Sequence, residues 1–153
     1  RGEVATSVFI GFANKAHDGF LGHSILGHWV NLGAGTTTSN LKNTYGEIGL
    51  TVAGERIQTG RQFLGALIGD HAKTAIGSLL PTGTVIGAGA NLFGAANTPK
   101  YIPPMAWGSD AAEYMTEAGF LRVAERVLPR RNVPFTPERA ESLRRTYHRL
   151  RTP

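Results

Sequence analysis

An apolar or β-branched residue returns at every sixth position through the middle of the chain. Stepping by six from Ile68 meets Thr74, Leu80, Ile86 and Leu92, and two residues before each of these four stands a small side chain: Ala72, Ser78, Thr84 and Ala90, with Ala96 continuing the series. Earlier, Leu26 and Leu32 keep the same spacing, with Ser24, Val30 and Thr36 in the small-residue slot. A period of six matches neither the spacing of an amphipathic helix nor the alternation of a half-buried strand. It matches the hexapeptide repeat of a parallel β-helix, where each hexad supplies one short strand and one turn of a triangular coil. The aliphatic side chain fills the interior, the small one packs beside it, and glycine permits the tight turn. The expected fold is therefore all-β: a left-handed parallel β-helix of hexapeptide repeats, with an inserted hairpin and C-terminal α-helices.

The breaks in the period divide the chain. Leu21-Gly22 precedes Leu26-Gly27 by five residues, so one turn is a residue short. Between Thr38 and Leu64 the period vanishes. There Ile48, Leu50 and Val52 alternate, Ala53-Gly54 allows a turn, and Glu55 to Thr59 returns with Ile57, which predicts a hairpin leaving the coil within 39–63. Excursions of this kind from a rigid scaffold are where binding sites are commonly built. The β-helix is expected over 1–98 and an extended connector over 99–115, because Pro103-Pro104 interrupts Tyr101 to Trp107. A helical tail follows over 116–153. Thr116 caps a helix with Phe120, Val123, Ala124 and Val127 on one stripe, ended by Pro129. Thr136 and Pro137 open a second, with Ala140, Leu143, Tyr147 and Leu150 aligned.

The charge of +5 belongs to that tail, since residues 122–153 hold nine arginines against three glutamates. The tail has no aromatic interleaving and no nucleic-acid motif, so it reads as a solvated helical face, and no nucleic-acid partner is expected. The absence of cysteine excludes a disulfide framework, a thiolate metal site and a cysteine nucleophile. No apolar run approaches the ~20 residues of a membrane-spanning helix, so no membrane partner is expected. The chain opens on Arg1 inside the repeat, which reads as a fragment whose upstream domain is missing.

Five histidines carry most of the candidate chemistry. His23 and His28 have the close spacing that zinc-binding hexapeptide proteins use, as in the γ-class carbonic anhydrases, but the register places no third ligand, and polar turn residues are the plainer reading. No metal is expected. His17 differs: in Asn14-Lys15-Ala16-His17-Asp18-Gly19 it stands with a cation and a carboxylate, as a general base would.

The run from Leu21 to Thr36, with its shortened turn and its Val30-Asn31-Leu32-Gly33-Ala34-Gly35-Thr36 segment, resembles the acetyltransferase domain of the bifunctional glucosamine-1-phosphate acetyltransferase/N-acetylglucosamine-1-phosphate uridyltransferase family. With Asn14-Lys15-Ala16-His17 before it and Ser39-Asn40-Leu41-Lys42 after it, the chain is most similar to a bacterial branch of sugar nucleotidyltransferases related to that family. The resemblance implies a cytoplasmic homotrimer with sites at subunit interfaces, acetyl-CoA as acyl donor and a sugar 1-phosphate as acceptor, in UDP-N-acetylglucosamine biosynthesis. It implies His17 as general base and Asn31, Ala34 and Asn40 as sugar-binding residues. Lys15 and Lys42, with Arg61, are candidate phosphate partners, and Arg130 and Arg131 are candidates for coenzyme A phosphates. Phe20 and Leu41 stand where the family has tyrosine, and its coenzyme A positions fall on Ile76 and near Phe93. The alternative is a non-catalytic trimerisation or effector-binding domain of a sugar nucleotidyltransferase. No phosphate-binding glycine loop for nucleotidyl transfer stands in these residues.

Overall fold

The computed structural model describes residues 2–108 and 112–151. β1 (Glu3–Ala5), β2 (Val8–Gly11) and β3 (Asn14–Lys15) form one three-sided coil. β4 (Phe20–Gly22), β5 (Ile25–His28) and β6 (Asn31–Leu32) stack on it in parallel, strand over strand. β7 (Thr37–Thr38) begins a third coil, from which the chain leaves as the antiparallel hairpin β8 (Ile48–Val52) and β9 (Glu55–Arg61). It returns as β10 (Ala66–Ile68) and β11 (Lys73–Thr74), and pairing resumes with β5 and β6 as though the hairpin were not there. β12 (Leu79–Leu80), β13 (Thr84–Ile86) and β14 (Asn91–Leu92) make the next coil. The result is a parallel β-solenoid, as the hexads require of a β-helix.

The hexad positions are the interior. Leu26, Leu32, Ile68, Leu80, Ile86 and Leu92 are all buried, and so are Ser24, Val30, Thr36, Ala72, Ser78, Thr84 and Ala90 in the small slot. Burying each large aliphatic side chain contributes about 1.5–3 kcal/mol, so one residue per hexad repeats the stabilising unit up the stack. The hydroxyls in the small slot are paired internally: Ser24 donates to the Gly22 carbonyl at 2.8 Å, and Thr36 and Thr74 lie 2.8 Å apart. Ala96 is exposed, however, and the series ends before it. Thr98 is buried instead, its hydroxyl donating to the Leu79 carbonyl at 3.1 Å.

Beyond that point the structure differs from the expected connector. Tyr101–Ile102 is strand β15, paired with β13, and Ala106–Trp107 is strand β16, paired with β14, so the solenoid runs on for most of another coil. Pro103-Pro104 sits at the corner between the two strands, where a missing N–H costs no ladder bond. β17 (Glu113–Tyr114) then lies antiparallel on β16. Residues 109–111 of the expected connector, and 152–153 of the expected tail, lie outside the described residues.

The two helices form as the stripes predict. α1 (Glu117–Val127) is capped by Thr116, whose side chain accepts from the Gly119 N–H, and it buries Phe120 and Ala124. Pro129 does not end the chain's helical path: a 3-10 turn over Leu128–Arg131 follows, closed by Asn132 in the left-handed region (φ 59°). α2 (Pro137–Arg151) lays Leu143, Tyr147 and Leu150 against Met105, Met115 and Phe120. Tyr147 Oη donates to the Met115 carbonyl at 3.0 Å, and Arg144 reaches Glu117 at 2.9 Å. The tail is thus tied to the upper coils. Among the described residues no helix is long and apolar enough to cross a membrane.

Candidate functional site

The third face of the solenoid carries one outward position per coil: Asn14, Asn31, Lys73 and Asn91, aligned by the strand pairing. Asn14 Nδ2 donates to Asn31 Oδ1 at 3.0 Å. The corner leading into this face carries an aromatic column. Phe12 and Trp29 stack with centroids 4.3 Å apart, Trp29 and His71 stack at 6.1 Å, and Phe120 of α1 meets His71 edge-on at 5.5 Å. Phe12, Trp29 and His71 all adopt positive φ (53°, 63° and 61°), an uncommon conformation for non-glycine residues. Each coil must turn sharply there, and ring stacking along the column offsets the strain.

Between this column and the 3-10 turn after α1 lies a cleft of about 400 Å³. Asn14, Asn31 and Lys73 line it from the third face, Phe12 and Trp29 from the corner, and Arg130 and Arg131 from the turn. Lys73 donates to the His71 carbonyl at 2.9 Å, and burial pushes its pKa down to about 8. Burial, then the Lys73 charge, lowers His71 to about 4, so its ring is neutral and remains a stacking element at neutral pH.

The expected site residues divide among three places. Asn31, Arg130 and Arg131 meet in this cleft. His17, Ala34 and the expected coenzyme positions Ile76 and Phe93 lie along the corner where the third face ends, stacked through Gly35 N–H to the Asp18 carbonyl and Gly77 N–H to the Ala34 carbonyl, both 2.8 Å. His17 is exposed, and among the described residues no hydrogen bond engages its ring. Since Asn31 and Ala34 are three residues apart, cleft and corner adjoin across the third face. Asn40 and Lys42 lie elsewhere, at the root of the hairpin. Asn40 donates to His23 Nδ1 at 2.9 Å beside Phe63, and the Lys42 ammonium bonds the Glu47 carbonyl.

Two expectations about cations change. Lys15 occupies an inward register position, opposite Leu32, and its ammonium is spent on the carbonyls of His17 (2.5 Å) and Asp18 (2.7 Å). Burial depresses its pKa, against the opposing pull of Asp18. Lys15 therefore ties down the His17 corner. Lys42 stands near Lys100, whose pKa is lowered by burial and then by Lys42 and Arg56, a cationic group on the hairpin side. The histidine pair does not converge either: His23 turns to Asn40, and His28 lies 3.8 Å from Asp70. Among the described residues no group of three or more His, Asp or Glu side chains is placed to hold a metal. Lys73 and the aromatic column escaped the sequence reading. The signal for Lys73 was there, since Lys73-Thr74 repeats the place of Asn31-Leu32 and Asn91-Leu92 once the hairpin is excised.

No protein-family model matches the chain. Among curated proteins, a bifunctional sugar-1-phosphate nucleotidylyltransferase/acetyltransferase of Sulfurisphaera tokodaii is 38% identical over 91 residues, 60% of this chain and 23% of that protein. The bifunctional protein GlmU of Methanococcus vannielii is 33% identical over 86 residues, 56% of this chain and 20% of that protein. GlmU of Methanococcus aeolicus is 30% identical over 86 residues, covering 56% and 21%. The chain thus spans under a quarter of the curated relatives it matches. The resemblance carried by the Leu21–Thr36 run holds at the level of these relatives, which are archaeal.

Proposed function

We propose that the chain is an acyltransferase domain of a bifunctional sugar-1-phosphate enzyme, moving an acetyl group from acetyl-CoA to the amine of a sugar 1-phosphate. The observation that carries this reading is the position of Asn31. It belongs to the run that resembles the acetyltransferase family, and it lines a cationic cleft directly beside the His17–Ala34 corner. The Sulfurisphaera tokodaii relative, by its name a nucleotidylyltransferase/acetyltransferase, supplies the reaction class.

In this reading the sugar hydroxyls bond the amides of Asn31 and Asn14, and the amine points toward the corner. His17 takes the amine proton as nitrogen attacks the thioester carbon, the carbon–sulfur bond breaks, and coenzyme A leaves as the thiol with that proton passed on from His17 to sulfur. Backbone N–H groups at the glycine turns stabilise the oxyanion. The donor's pantetheine arm fits the apolar surface of Ile76, 79% exposed, and Phe93 on the same corner. Asn40 supports the neighbouring coil through His23, and Lys42 faces a different patch unless a second subunit brings it near. A homotrimer would do so, and the exposed apolar positions Val8, Ile10 and Ile25 on the second face are the surface a further copy would cover.

The test is thiol release from acetyl-CoA with a panel of amino-sugar 1-phosphates. The chain has no cysteine, so the protein gives no background. Release dependent on one sugar supports the reading. Silence across the panel, from a sample shown to be a trimer, favours a non-catalytic trimerisation or effector-binding domain.

A further inference from the structure

Three cations face one cleft with no carboxylate among its lining residues. Lys73 bonds only a backbone carbonyl, and among the described residues neither Arg130 nor Arg131 joins an ion pair. Arg144 and Arg145 of α2, by contrast, pair with carboxylates, Arg144 with Glu117 and Glu141 and Arg145 with Glu141. Cations gathered around an empty volume and left uncompensated favour an anion there. Guanidinium pairs suit the oxygens of a phosphate in particular. The Leu128 and Pro129 carbonyls accept from the Asn132 N–H, so they do not take up the guanidinium donors.

The rest of the lining selects a sugar. Asn14 Nδ2 and Asn31 Oδ1 bond each other, so the Asn31 Nδ2 donors remain for ligand oxygens. The stacked rings of Phe12 and Trp29 offer an apolar edge for the C–H face of a pyranose. A volume of about 400 Å³ holds one hexose phosphate and lies in the usual range of small-molecule sites.

We propose that this cleft binds the phosphate of a sugar phosphate within a single chain, with Arg130 and Arg131 of the C-terminal helical cap clamping the phosphate against Lys73. The inference rests on the acyltransferase reading for the sugar's identity as an amino-sugar 1-phosphate. It moves the phosphate partners from Lys15, Lys42 and Arg61 to the tail. It also gives the tail a task beyond covering the solenoid: packing of Phe120, Leu143 and Tyr147 sets where the two guanidinium groups stand.

The experiment titrates the chain with glucose 1-phosphate, which has no amine to acetylate, by calorimetry at low salt and pH 7. One site per chain is expected, with glucose at least tenfold weaker. The double variant R130Q/R131Q weakens glucose 1-phosphate binding at least tenfold, as does Lys73→Gln. Arg149→Gln, which removes a charge from the exposed face of α2, leaves it within twofold. Circular dichroism melts confirm that the variants fold. Unchanged binding in R130Q/R131Q overturns the proposal. So does a coenzyme A arm in which that double variant loses coenzyme A while glucose 1-phosphate binds as before, since the arginines would then serve the donor. Binding needs no turnover: a chain that binds glucose 1-phosphate through these residues but releases no thiol keeps the clamp and refutes the acyl-transfer reading. Thiol release that survives R130Q/R131Q with unchanged KM does the reverse.

Discussion

Asn14 Nδ2 donates to Asn31 Oδ1 at 3.0 Å, one coil below it on the same face. The bond fixes the orientation of the Asn31 amide, leaving its N–H groups as donors to the cleft. Asn31→Asp keeps the acceptor for Asn14 but removes both donors and sets a carboxylate opposite Lys73. Sugar-phosphate affinity should fall about 10–100-fold, since the lost hydrogen bonds to the sugar, the carboxylate's competition for Lys73 and its repulsion of the phosphate together cost about 2 kcal/mol or more. Calorimetric titration beside the Asn31→Ala variant checks it, with Ala expected to lose less.

His71 makes stability depend on acid. Its folded pKa of about 4 lies below the ordinary 6.5, chiefly from burial. The unfolded chain therefore binds a proton that the folded chain refuses between those values, and stability falls as pH drops from about 6.5 toward 4. The contribution is about 3 kcal/mol across that window. Thermal melts between pH 7 and 4.5 should show a shallower loss for His71→Gln than for the wild type, with the variant less stable at pH 7 because the Trp29 and Phe120 contacts shrink.

Lys73 works in the alkaline range. Its folded pKa of about 8 is below the usual lysine value, so the folded chain carries fewer protons than the unfolded one from about pH 8 to 10.5. Stability from this group rises with pH through that interval. Anion affinity moves the other way, falling above pH 8 as the ammonium loses its proton. The opposed slopes should both vanish in Lys73→Gln, followed by melts and by glucose 1-phosphate titration at pH 7 and 9.5.

Gly33 lies where a Cβ would come within 2.5 Å of the backbone carbon of Ala75 in the coil above. Gly33→Ala must separate two coils at the root of the Asn31–Ala34 segment. A loss of about 1–3 kcal/mol is expected by chemical denaturation. Leu26→Ala, at 0% exposure in the interior, should cost about 2–5 kcal/mol through its cavity.

The solenoid was legible because its interior admits one kind of residue per hexad, so Leu26, Leu32, Ile68 and Ile86 announce the coils whatever the loops do. The hairpin was legible because β8 and β9 alternate around Ala53-Gly54, a turn with both residues at positive φ. The strands β15 and β16 were not, because Pro103-Pro104 reads as a breaker when only the chain is seen, and only the stacking shows that it occupies a corner. The aromatic column was hidden for a related reason. Phe12, Trp29, His71 and Met105 fall on one corner only after a shortened coil and the hairpin are accounted for, and positive φ is ordinarily signalled by glycine. The cleft depends on where α1 docks, and the stripe of Phe120 and Ala124 says which face is covered but not what it covers.

In the proposed reading one cleft recognises the sugar phosphate whose amine is acylated at the adjoining corner. The most direct measurement compares thiol release from acetyl-CoA for one amino sugar with and without its 1-phosphate, in the wild-type chain and in His17→Ala. Release is expected with the 1-phosphate, at least tenfold less without it, and a fall of 100-fold or more in kcat for His17→Ala, in line with the removal of a general base. Equal turnover of the two sugars, or unchanged kcat in His17→Ala, would contradict it.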